Sequence, residues 1–141
     1  MMLARATRTA VLIAALALGL ACVKVPDLTR EDVKRLVAES AAFQGPIDPG
    51  IVFIDATFRP GPSTKREIIK LDGIAIKEDG PFGLAGKTAT AAFTWRWTGG
   101  PFAGRVMRST AKLNSSGGAW HVYEDLLKQS LYAAERGESQ E

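Results

Sequence analysis

Residues 87–98, Lys87-Thr88-Ala89-Thr90-Ala91-Ala92-Phe93-Thr94-Trp95-Arg96-Trp97-Thr98 (KTATAAFTWRWT), place Ala89, Ala91, Phe93, Trp95 and Trp97 at alternate positions. Thr88, Thr90, Thr94, Arg96 and Thr98 take the positions between. Side chains on a strand alternate between faces, so this period describes an antiparallel strand with one face in a core and the other in water. Arg105 to Asn114 repeats the pattern, with Met107, Ala111 and Leu113 inward and Arg108, Thr110 and Lys112 outward. Two neighbouring segments of one period, joined through Gly99-Gly100-Pro101, predict consecutive strands of a sheet.

Working outward, Ser115-Ser116-Gly117-Gly118 turns the chain into a short strand, Trp120-His121-Val122-Tyr123. Upstream, Ile68-Ile69-Lys70-Leu71 and Ile74-Ala75-Ile76-Lys77 flank Asp72-Gly73. That pattern fits a two-residue hairpin or one long strand kinked at a bulge. Ile51 to Phe58 (IVFIDATF) is rich in β-branched and aromatic residues and ends at Arg59-Pro60-Gly61-Pro62-Ser63, so it is expected to be a further strand.

Helices are signalled at both ends of this region. Thr29 can cap one, with Asp32 three residues on as the reciprocal member of a capping box, and Leu28 and Val33 are spaced as a hydrophobic staple. Val33, Leu36, Val37, Ala41 and Phe43 form its apolar stripe, and Gly45-Pro46 stops it. The second helix is expected over Glu124–Arg136, with Leu126, Leu127, Leu131 and Ala134 on one face and Gly137 as C′ residue. The expected fold is α+β: an N-terminal helix packed on an antiparallel sheet of four to five strands, with a C-terminal helix. One domain spans 29–136, followed by a polar tail over 137–141.

The order of these segments, with Gly86-Lys87-Thr88-Ala89-Thr90-Ala91 and Gly117-Gly118-Ala119-Trp120-His121-Val122, resembles cystatin-like or NTF2-like domains of small bacterial lipoproteins. The resemblance implies a helix wrapped by a curved sheet. It implies no single activity.

The front of the chain is of another kind. Arg5 and Arg8 precede Val11 to Leu20 (VLIAALALGL), a run without a polar side chain. This is the charged and apolar pattern of a secretory signal, and it falls short of the roughly 20 apolar residues that span a bilayer. Gly19-Leu20-Ala21-Cys22 resembles the bacterial lipoprotein lipobox. That resemblance implies cleavage between Ala21 and Cys22, lipidation of Cys22 and, with Val23 following rather than Asp, sorting to the outer membrane. Gly19 and Ala21 also satisfy the small-x-small rule for ordinary signal cleavage at the same bond. The expected organisation is a cleaved signal over 1–21, then an anchor cysteine and tether over 22–28. Fully extended, the six residues after Cys22 reach at most about 20 Å.

Cleavage changes the meaning of the charge. The whole chain carries a formal +3, but two basic residues and no acid lie in 1–21, so residues 22–141 balance at +1. Nothing there resembles the concentrated basic face of a nucleic-acid binder. With 46% apolar residues the chain can build a core, and its single cysteine leaves no intrachain disulfide to assist.

Chemical motifs are sparse. Gly80 to Thr88 (GPFGLAGKT) looks like a phosphate loop, but the spacing places Pro81 where glycine is required. The residues after it alternate as a strand instead of opening a helix, so no nucleotide is expected. Gly80-Pro81-Phe82 and Gly100-Pro101-Phe102 supply turns at opposite ends of a meander. His121 is the only histidine, and without a Cys/His cluster no metal is expected. Glu78-Asp79 and Glu124-Asp125 read as exposed acids, and no Gly-x-Ser-x-Gly elbow occurs. No catalytic residue and no cofactor is assigned.

These features point to a non-enzymatic envelope lipoprotein, held to the membrane through Cys22, facing the periplasm and acting by contact with another envelope protein. The alternative is a periplasmic module holding an apolar or glycan ligand between helix and sheet, beside Phe93, Trp95 and Trp97.

Overall fold

The alternating stretch forms the strand around which the domain is built. The computed structural model describes residues 27–54, 64–78 and 86–138. Helices α1 (Arg30–Glu39), α2 (Ala41–Gln44) and α3 (Pro49–Ile54) precede strands β1 (Arg66–Glu78), β2 (Lys87–Trp97), β3 (Val106–Asn114) and β4 (His121–Val122). Helix α4 (Glu124–Glu135) closes the order. The four strands form one antiparallel sheet in the order β1-β2-β3-β4. The α+β class, the antiparallel sheet and the C-terminal helix are as expected.

Register explains the core. Phe93 faces Leu71 and Ser109, Ala91 faces Ile74 and Ala111, and Trp95 faces Ile68 and Met107. Ala89, Ala91, Phe93, Trp95, Ala111 and Leu113 are fully buried there with Val33 of α1 and Leu127 and Leu131 of α4. Alanines beneath the helices allow close approach, and the Phe93 and Trp95 rings fill the space between layers.

Several expectations are corrected. The helix expected to run from Thr29 through Phe43 is broken at Ser40. The Ser40 hydroxyl donates to the Val37 carbonyl (2.6 Å) and accepts from the Phe43 amide (3.2 Å). It thus ends α1 and caps α2. The restart shifts the helical phase, so Ala41 is exposed while Phe43 is buried. The capping box at Thr29 and Asp32 is formed at 3.1 and 3.2 Å.

Ile51 to Ile54 lie in a helix, not in the expected strand, and residues 55–58 fall outside those described. Asp48-Pro49 decides this: the Asp48 carboxylate accepts the Gly50 amide (3.0 Å), the Asp48 carbonyl accepts from Ile51 (3.0 Å), and Pro49 suits a first helical turn. A start signal outweighs the β-propensity of the next four residues.

Asp72-Gly73 is no hairpin. It lies inside β1, where the pairing shifts between Ile68 and Lys70 and again between Leu71 and Gly73. A tight two-residue hairpin of the Asp-Gly kind needs positive φ at both central residues, and Gly73 does not have it. In α4, Leu126 is 42% exposed rather than inward. The buried stripe is Leu127, Ser130, Leu131, Ala134 and Glu135.

Candidate functional site

The buried ionisable residues Asp48, Arg66 and Glu135 form one network, centred on Arg66 at the start of β1. Arg66 pairs with Trp97 across the ladder and points inward, with its side chain wholly buried. Its guanidinium stacks 4.6 Å from the Trp97 ring centre and 5.4 Å from that of Trp95. Nε and Nη2 donate to Glu135 Oε1 at 3.1 and 2.5 Å. Nη1 donates to the carbonyls of Phe43 (2.9 Å), Gly45 (2.8 Å) and Ala42 (3.3 Å), and Nη2 to that of Pro46 (2.8 Å). These carbonyls lie at the end of α2, where a helix leaves acceptors unpaired and carries partial negative charge. At the other end of α2, Glu124 accepts the Ala41 and Ala42 amides at 3.3 and 2.9 Å. A four-residue helix is therefore held at both ends by side chains from β1 and α4.

The network continues outward. Glu135 Oε2 accepts the Asp48 amide (2.7 Å), and Arg136 Nη1 donates to Asp48 Oδ2 (2.7 Å). Burial pushes the Glu135 carboxyl above the ordinary glutamate range, and the charge and hydrogen bonds of Arg66 pull against that shift. No buried side-chain nitrogen or oxygen among the described residues lacks a partner. Every polar group of this cluster is engaged in holding the fold.

Beside the cluster lies a half-open cavity of about 650 Å³ between α1, α2 and the start of β1. Phe43, Ala38 and Ile68 contribute its apolar wall, and Lys34, Arg35, Lys65 and Arg66 are the basic residues of its lining, with Glu31 and Glu67 as its acids. Its volume falls in the range of small-molecule pockets. Phe93, Trp95 and Trp97 are not part of that lining. They are 0%, 0% and 4% exposed, and the edge-on packing of Phe43 against Phe93 and Trp95 covers them from the helix side. The Trp95 indole N–H donates to Ser109 Oγ (2.9 Å), which donates to the Ser130 carbonyl (3.3 Å). A ligand face at these three rings is thus replaced by the neighbouring cavity, which shares Arg66 and Phe43 with the core.

The sheet's other face is polar. Lys70, Thr94 and Arg108 share one row, Ala75, Thr90 and Lys112 another, and Lys77, Thr88 and Asn114 a third. Asp72 sits among them, accepting from the Thr94 hydroxyl (2.8 Å) with Lys70 and Arg108 each 3.6 Å away. The Thr94 hydrogen bond, chiefly, holds the Asp72 carboxyl below its ordinary range.

Ala21 and Cys22 lie outside the described residues, as do Asp79, Phe82 and the first glycine of the phosphate-loop-like stretch. Lys87 and Thr88 open a strand, so the geometry of a phosphate cradle at a helix start is not formed there. Phe102 packs against the core edge, with Arg105 stacked 5.7 Å from its ring centre. His121 is exposed on β4. Among the described residues there is no group of three metal-ligating side chains, and no helix is long and apolar enough to cross a membrane. Arg66, Asp48 and Glu135 escaped the sequence reading. The available signal was Glu135, which falls on the Leu127–Leu131 stripe four residues on.

Comparisons with protein-family models, with curated proteins and with solved structures return no match to this chain.

Proposed function

We propose that this chain is a non-enzymatic cell-envelope lipoprotein, fastened to the membrane through Cys22 and acting through protein–protein contacts from the periplasmic side of the outer membrane. The observation that carries the reading is the apolar run Val11–Leu20, closed by Ala21-Cys22 and set a few residues before the helix cap at Thr29. An exported odd cysteine calls for a fate, and two or more acyl chains anchor a protein where one holds it only marginally. The buried ionisable groups fit a structural role, because Arg66, Glu135 and Asp48 are spent on one another and on backbone. Intact mass of the membrane-extracted protein tests the anchor: diacylglycerol and acyl additions on residues 22–141 are expected, and an unmodified mass overturns it. Cross-linking in intact envelopes tests the contacts. A recurring protein partner is expected, and recovery of the domain alone counts against them.

The cavity between α1 and β1 favours a second reading, a module that binds an apolar ligand between helix and sheet. Anilinonaphthalene sulfonate, an apolar anion, is a suitable probe. Saturable binding that Ala38→Trp abolishes by filling the space supports this reading, and binding unaffected by Ala38→Trp ends it.

A further inference from the structure

We propose that the outer face of the sheet, with Lys70, Lys77, Arg108 and Lys112 flanking a central column of small side chains, rests on the anionic leaflet that holds Cys22. The inference rests on the anchored reading above, and adds to it the orientation of the domain.

Register makes the face. Thr88, Thr90, Ala92 and Thr94 of β2 run down its middle, while the cations stand on β1 and β3 to either side. A row of small side chains leaves the surface low enough for the flanking cations to touch one plane. Asp72 and Glu67 are its acids, and they engage Lys70, Arg108 and Arg96. Lys77 and Lys112 form no ion pair with a described residue.

The opposite layer has the other sign. On α1, α4 and their flanks, the acids Asp27, Glu31, Asp32, Glu39, Glu124, Asp125 and Glu138 outnumber Arg30, Lys34, Arg35, Lys128 and Arg136. A nearly neutral chain is therefore polarised across its thickness. Near an anionic leaflet, each lysine or arginine within a Debye length strengthens binding about fivefold. The acids of the helix layer are repelled from the same surface.

The tether permits this pose. Arg30, one residue after the Thr29 cap, donates to the Leu71 carbonyl in the middle of the edge strand β1 (3.1 Å). The described chain thus enters the domain beside the β1 edge of the sheet, and the six residues between Cys22 and Thr29 reach at most about 20 Å when fully extended.

The test uses the soluble exported protein carrying Cys22→Ser, floated with phosphatidylcholine vesicles and with equimolar phosphatidylcholine–phosphatidylglycerol vesicles. Binding is expected only to the second, with release at high salt. Lys77→Glu with Lys112→Glu should weaken it at least about tenfold. Lys77→Gln with Lys112→Gln, which adds no repulsion, should give a smaller loss. Lys34→Glu with Lys128→Glu, on the helix layer, should change it less than about threefold, because that layer lies beyond a Debye length from the bilayer. Equal binding to both vesicles, or equal losses from the two charge-reversal pairs, overturns the proposal. Failure of the anchor itself is read separately, from the mass of the unsubstituted protein.

Discussion

Arg66 and Glu135 lie 69 residues apart in the chain and form an ion pair whose two side chains are both fully buried. The pair joins the first strand to the end of the last helix and, through Arg66, closes the C-terminal end of α2. Two charges out of water are tolerated because each also satisfies backbone groups, four carbonyls for Arg66 and the Asp48 amide for Glu135. Arg66→Met and Glu135→Leu should therefore each cost about 3–5 kcal/mol, since each leaves the other charge unpaired. The double variant should cost clearly less than the two single costs added together. Urea unfolding of all four proteins checks this, and additive costs would show that the two residues do not act as a pair.

Glu135 and Asp72 should give opposite pH dependence. Burial raises the Glu135 pKa, so its contribution to stability is full below the ordinary glutamate range and is lost as pH rises through the native value. The Asp72 pKa is lowered, so its contribution is present above the ordinary aspartate range and is lost as pH falls through the native value. Carboxyl carbon titrations by NMR should place Glu135 above and Asp72 below the exposed acids. Thr94→Val should move Asp72 back toward its ordinary range, and an unmoved Asp72 would refute the assigned cause.

The Trp95 indole N–H donates to Ser109 Oγ in a part of the core where both side chains are almost wholly buried. Ser109→Ala leaves the indole N–H without that acceptor and should cost about 1–3 kcal/mol. All three tryptophans are under 10% exposed, so native emission should be blue-shifted and resist acrylamide. Strong quenching of the native protein would contradict this packing.

Two glycines in the sheet region should respond differently to alanine. Gly86 has φ +93°, and a β-carbon there would lie 3.1 Å from Ser115 Oγ, which accepts the Lys87 amide. Gly86→Ala should therefore cost about 1 kcal/mol or more. Gly73, inside β1, has no positive φ and nothing within 4 Å of an added β-carbon. Gly73→Ala should stay within about 0.5 kcal/mol of the parent. A reversed order in thermal melts would mean that the turn at Gly86 is not the one described.

The sequence by itself determined the elements whose signals are local. The two-residue period of Lys87–Thr98 and of Arg105–Asn114, the Thr29 capping box and the Gly137 stop all rest on residues within one strand or turn of each other. Tertiary structure decided the rest. Ile51–Ile54 could satisfy helix or strand by propensity, and Asp48, whose start signal opens the helix over Pro49–Ile54, is itself held in place by Glu135 and Arg136 from the far end of the chain. The alternation of β2 marked Phe93, Trp95 and Trp97 as inward, but whether an inward ring meets a ligand or the core depends on what lies across from it. Phe43 and Arg66 lie across from the tryptophans, and Arg66 is held there by Glu135 and by the backbone carbonyls that the fold brings beside it. A buried charge has no local signature, because the partner that makes it tolerable is chosen by the fold.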